Sequence, residues 1–195
     1  SNFFYISCVN NMIIFLPKRI DQKSIIIFNF KHFRKIYLGE NVTLMFEDEL
    51  TMRYQIQEML RIEKIFEEEG IQEELNAYNP LVPNGSNWKS TMLIEYPNPE
   101  DRKLHLSKLI GIEDNVYVKV EGFDRVYAIA DEDLDRENEE KTSAVHFLRF
   151  ELNDNCKQAL KSGAKLFAGV CHENYNIELE VQESTRQNLI NDLVI

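Results

Sequence analysis

Glycine, cysteine and positive charge are all scarce in this chain, and each scarcity removes a class of function. The seven glycines are scattered over 195 residues, and none falls into G-x-G-x-x-G or G-x-x-x-x-G-K. A nucleotide cofactor held by a glycine loop therefore has no support. There is no G-x-S-x-G elbow either, and Ser143 and Ser184 have no partner that spacing alone supplies, so nothing marks serine hydrolysis. Three cysteines, Cys8, Cys156 and Cys171, are odd in number and lack C-x-x-C spacing, which argues against a disulfide framework and a structural zinc site and points to a reducing cytoplasm. Lys and Arg together number 22 against 33 for Asp and Glu, a net charge of −11. The summed field repels phosphate backbones and anionic lipid, so neither nucleic acid nor membrane is expected as a partner. Long apolar runs are missing too, since Asn10 and Asn11 interrupt the opening stretch and no basic region precedes it, unlike a signal peptide or spanning helix.

What is present suffices for a core, at 44% hydrophobic residues. Residues 1–34 show apolar and β-branched runs without a clear period and are left as an undefined N-terminal segment; residues 35–195 read as one α+β domain. Gly39-Glu40-Asn41 separates two alternating runs and predicts a hairpin. A long helix is expected over about residues 49–69, burying Met52, Ile56, Met59 and Leu60 and ending in the acids of "EEEG", with a second helix "IQEELNAY" halted before Pro80. After a punctuated loop come a strand "WKSTMLIEY", a helix capped by Asn98 with Pro99 at its first position, and a hairpin turning at Glu121 to Asp124. Strand "TSAVHFLRFEL", a helix capped by Asn153, strands "AKLFAGVCH" and "NIELEV" and a final helix complete the chain. Hairpins interspersed with helices predict a mainly antiparallel sheet rather than strict βαβ alternation.

Few motifs carry chemistry. Asp131-x-Asp133-x-Asp135 begins like a calcium loop, but Arg136 stands where the turn needs glycine and Thr142 where the bidentate glutamate belongs, so specific calcium binding is not expected over residues 131–140. Strand parity puts His146 on an apolar face with Leu148 and Phe150, opposite Phe147 and Arg149. His172 likewise ends an apolar face. Two such imidazoles could converge on a metal or haem iron, or each could simply be satisfied in the core. On the long helix, Gln57 and Arg61 stand one turn apart beside Glu58, either as a site or as a solvated face.

The stretches "VTLMFEDELTMRYQIQEMLRIEKI", "EELNAYNPLVP", "LIEYP", "TSAVHFLRFEL" and Gly-Val-x-His-x-x-Tyr at residues 169–175 resemble an uncharacterised bacterial family, the domain of unknown function numbered three-five-zero-one. The resemblance carries motif positions onto Tyr54, Gln55, Gln57, Glu58, Arg61, Tyr78, Asn79, Pro80, Glu95, His146, Arg149, His172 and Tyr175. Around His172 the chain departs from the family's Asp-His-Pro pattern, having Cys171 and Glu173 as neighbours. Such proteins are often encoded beside rubrerythrin-like and iron–sulfur oxidoreductase-like proteins, which implies redox or peroxide-stress physiology and a redox protein partner; no cofactor is specified. The leading expectation is a cytoplasmic accessory or ligand-binding protein whose site draws on Gln57, Glu58, Arg61, Asn79, His146 and Arg149. The rivals are an enzyme with a Glu58 or His146 acid/base beside an anion-binding arginine, and a metal or haem protein using His146 and His172.

Overall fold

The computed structural model describes residues 5–9, 12–15, 33–132 and 141–194. The remainder of the acidic loop, residues 133–140, lies outside the described residues, and with it most of the segment expected not to bind calcium. Near the start, β1 (Tyr5–Val9) pairs antiparallel with β2 (Met12–Phe15). The body of the protein is two further antiparallel sheets and five helices among the described residues, an α+β architecture as the hairpin pattern predicted.

The larger sheet runs β3 (Lys35–Leu38), β4 (Val42–Glu47), β5 (Asn87–Ile94), β9 (Val145–Glu151), β8 (Ile129–Ala130). The smaller runs β11 (Tyr175–Glu180), β10 (Leu166–His172), β6 (Val116–Val120), β7 (Arg125–Tyr127). Both sheets turn their alternate apolar residues onto one core, in which Leu44, Phe46, Met92 and Phe150 of the first join Val116, Leu166, Ala168 and Val170 of the second. Tyr175 ties the sheets together at one edge, its hydroxyl donating to Leu38 O at 2.5 Å. Gly39 admits that hydroxyl: it sits at φ 78°, and a Cβ there would stand 2.7 Å from Tyr175 Oη.

Local signals place the helices. Asn98 accepts from the Glu100 amide ahead of α3 (Pro99–Lys108), and Asn153 from Cys156 ahead of α4 (Asp154–Lys161), both as N-caps. The C-terminal α5 (Glu183–Ile190) is pinned to the core where Trp88 Nε1 donates to Leu189 O at 2.9 Å.

The long helix departs from expectation. α1 spans Glu49–Glu63 and stops there, because Lys64 adopts a left-handed conformation (φ 57°) with its amide on Leu60 O. A second helix, α2 (Glu68–Tyr78), starts four residues later. Gly70 makes the corner compact, since a Cβ there would meet Ile65 Cγ2 at 2.7 Å. The acids expected at an unfavourable C-terminus are thus the first turn of α2, Glu68 and Glu69, where the helix dipole favours them. Met52 and Ile56 are buried as expected, while Met59 and Leu60 are only half-buried, Met59 lining an open groove against the sheet.

On the outer face of the smaller sheet, Tyr117 lies across Gly169 and donates to Glu178 Oε2 at 2.8 Å, with the Arg125 guanidinium 4.2 Å above its ring. Burial, and then the bond to the anionic Glu178, push the phenol up to about 12 from an ordinary 10.0. The folded state therefore holds this proton after the unfolded chain has lost it, so stability is expected to fall as pH rises from about 10 to about 12. Absorbance titration at 295 nm should show a late-ionising tyrosine that Tyr117→Phe removes. Complete ionisation of the folded protein by pH 11 would contradict this.

Candidate functional site

The register of β4, β5, β9 and β8 brings Glu47, Lys89, Arg149 and Ile129 into one row across the larger sheet. This row lies on the face turned from the core, as does Thr91 beside Phe147. α1, α2 and the turn after them arch over it with Met59, Glu74, Ala77, Tyr78, Pro80 and Leu81, enclosing a groove of about 360 Å³. The roof is apolar apart from Glu74 and the Tyr78 hydroxyl, and the floor carries Glu47, Lys89, Glu132 and Arg149.

Each charge on the floor is differently placed. Arg149 is saturated: Glu132 takes it in a fork at 2.7 and 2.8 Å, Glu151 binds it at 2.5 Å, and these carboxylates hold the guanidinium pKa above its usual range. Glu132 is drawn down in return, chiefly by Arg149. Glu47 is 6% exposed and gives its oxygens to the Thr51 and Thr91 hydroxyls at 2.6 and 3.2 Å. Lys89 is the least well matched, with Glu132 4.0 Å away as its ion-pair partner; desolvation, only partly opposed by Glu132, pushes the ammonium down. On the roof, burial raises both the Glu74 carboxyl and the Tyr78 phenol.

The sequence-derived set does not assemble in one place. Arg149 lines the groove, as do Tyr78 and Pro80 among the motif positions. Gln57 is exposed on α1, and Glu58 and Arg61 pair with each other on the helix surface at 2.7 Å. Asn79 is exposed and caps α2. His146 lies opposite Arg149, because no bulge interrupts β9, and it points into the core next to Met92. An acid/base pairing of His146 with Arg149 is therefore excluded by strand parity.

The two histidines do not converge. His172 Nε2 donates to Ile110 O at 3.0 Å, tying the end of β10 to the turn after α3, and its Nδ1 accepts from the Asn174 amide at 3.2 Å in the β10–β11 turn, so both nitrogens are used. His146 instead meets Glu113 and Asp131, and these form the metal-competent group of three among the described residues. Glu47, Lys89, Thr91, Glu132 and Glu113 escaped the sequence reading. The signal for Lys89 and Thr91 was their alternation along "WKSTMLI", but the polar face gained meaning only once the strand register was known.

The model of a protein family of unknown function, DUF3501, matches residues 18–193. The chain belongs to that family. A crystal structure of a novel protein of unknown function from Burkholderia pseudomallei K96243 is 51% identical to this DUF3501 chain, covers 89% of it and 90% of its own length, and superposes with a TM-score of 0.84. No curated protein matches the chain. Among the described residues, no helix is long and apolar enough to cross a membrane.

Proposed function

We propose that this DUF3501 protein binds a small amphipathic anion in the groove beneath α1 and α2. The observation that carries this reading is Lys89: a partly desolvated cation on the floor of a groove roofed by Met59, Tyr78 and Leu81, with its carboxylate neighbour at the limit of ion pairing. An anionic head group would relieve that mismatch, while an apolar tail would cover the roof. Arg149, already held by two glutamates, orients Glu132 rather than competing for the ligand.

Anilinonaphthalene sulfonate, an anion with an apolar body, serves as the probe. Wild-type protein is expected to bind it saturably, and Lys89→Met to weaken binding about tenfold, or about 1.4 kcal/mol. Because the substitution replaces a desolvated charge with an apolar side chain of similar length, the melting temperature should stay level or rise. Unchanged binding by the folded variant would overturn the reading.

The wider role we propose is that of a cytoplasmic accessory protein working beside a redox partner. Its support is the family resemblance to chains encoded near rubrerythrin-like and iron–sulfur proteins, and the scattered cysteines, of which Cys156 and Cys171 are free thiols.

A further inference from the structure

Behind the groove, on the core face of β9, three oxygens face one imidazole nitrogen. His146 is 0% exposed, Thr142 1% and Glu113 6%. His146 Nδ1 lies 2.6 Å from Asp131 Oδ2, and since an ionised carboxylate only accepts, Nδ1 carries the proton of that bond. Facing the other ring nitrogen, Nε2, are Thr142 Oγ1 at 2.9 Å, Ser143 O at 3.1 Å and Glu113 Oε2 at 3.7 Å. Thr142 Oγ1 is itself 3.3 Å from Glu113 Oε2, so this one hydroxyl oxygen reaches both the imidazole and the carboxylate. The Ser143 carbonyl only accepts, so where it meets Nε2 at 3.1 Å a proton or a cation stands between them. Imidazole binds a metal through a nitrogen that has given up its proton, and the buried oxygens around Nε2 are hard donors suited to a divalent cation.

We propose that Glu113, Thr142, Ser143 and His146 bind one first-row divalent cation, with Asp131 as the residue that fixes the imidazole. Ligands about 2.1 Å from a cation stand about 3.0 Å apart in octahedral and about 3.4 Å apart in tetrahedral geometry. The four separations here run from 2.9 to 3.7 Å. The Asp131–His146 bond is the carboxylate–histidine pairing that orients metal-bound imidazoles. Asp131 is firmly anchored. At φ 46° it exchanges two bonds with Phe147, N to O at 2.8 Å and Phe147 N to Oδ1 at 2.9 Å. A backbone strained in this way persists where its surroundings over-determine it, often at functional sites. One nitrogen among oxygens suits manganese, iron(II), cobalt or zinc, and disfavours copper(I), which seeks sulfur.

Cobalt(II) is the probe because its visible absorption reports coordination by nitrogen and oxygen. Full-length protein stripped with chelator and incubated with cobalt in 0.15 M salt, which screens association with the acidic surface, is expected to take up one equivalent. It should show visible bands and melt at a higher temperature. Zinc should displace the signal. Glu113→Gln and His146→Gln are each expected to weaken uptake at least tenfold, and Thr142→Val, nearly the same shape, offers a third reading should either fail to fold. Absence of saturable uptake by wild type would overturn the site, as would uptake that persists in the folded variants.

Discussion

Arg34→Met is expected to lower stability by about 3–5 kcal/mol, the cost of breaking a buried ion pair from one side. Arg34 is 1% exposed and acts as a hub. Its Nε donates to Phe46 O and its Nη2 to Glu47 O, both at 3.1 Å, and the guanidinium pairs with Asp192 and stands 3.5 Å from Asp48. One side chain thereby ties the end of β4, the N-cap of α1 and the chain beyond α5. Asp48 is itself the capping-box residue of α1, accepting from Thr51 N at 2.7 Å, so disturbing it loosens the roof of the groove. Methionine fills the space of the stem but leaves Asp192 buried without its counter-charge. Burial already raises the Asp192 carboxyl above its ordinary 3.8, with Arg34 pulling the other way, and the variant loses that pull. A carboxyl raised in the folded state holds its proton longer than the unfolded chain does, so the variant loses stability as pH climbs above that ordinary value. The deficit relative to wild type should therefore be smaller near pH 4 than at pH 7. Urea melts at the two pH values test both parts, and a deficit below about 1 kcal/mol at pH 7 would show that the hub carries little. Arg34→Lys should fall between, since an ammonium cannot reproduce the fork.

Gly169→Ala is expected to cost about 3 kcal/mol, at the upper end for an overpacked site. In most strands this exchange is mildly favourable. Here a Cβ would lie 2.5 Å from Ile177 O and 2.6 Å from Tyr117 Oη. The tyrosine could swing aside only by giving up its bond to Glu178 and its place under Arg125, whereas the carbonyl belongs to β11 and cannot move without opening the ladder. Denaturant unfolding checks the magnitude. Gly169→Ala combined with Tyr117→Ala should recover only part of the loss, because the backbone collision remains. Full recovery would assign the whole effect to the ring.

Much of this fold is legible without coordinates, and the legible parts share a cause. The hairpin at Gly39, the caps Asn98 and Asn153, and the two faces of "VHFLRFE" follow from preferences spanning fewer than about ten residues, which sequence displays directly. The same parity already separated His146 from Arg149, and the uninterrupted β9 keeps them on opposite faces. The end of α1 was not legible in this way. Residues 49–69 keep a helical spacing through Lys64, and what breaks them is the packing of Ile65 on Gly70 as α2 folds back.

The two candidate sites depend wholly on tertiary structure. Lys89 faces Glu47 and Arg149 because three strands pair in a particular register, and Glu113, Asp131 and His146 meet because a turn before β6, the end of β8 and the early part of β9 arrive at one point. Composition determined that the chain has a core, an acidic surface and no glycine cradle for a nucleotide. Which polar groups that core would enclose was decided by contacts between residues far apart in sequence, whose energies no local pattern encodes.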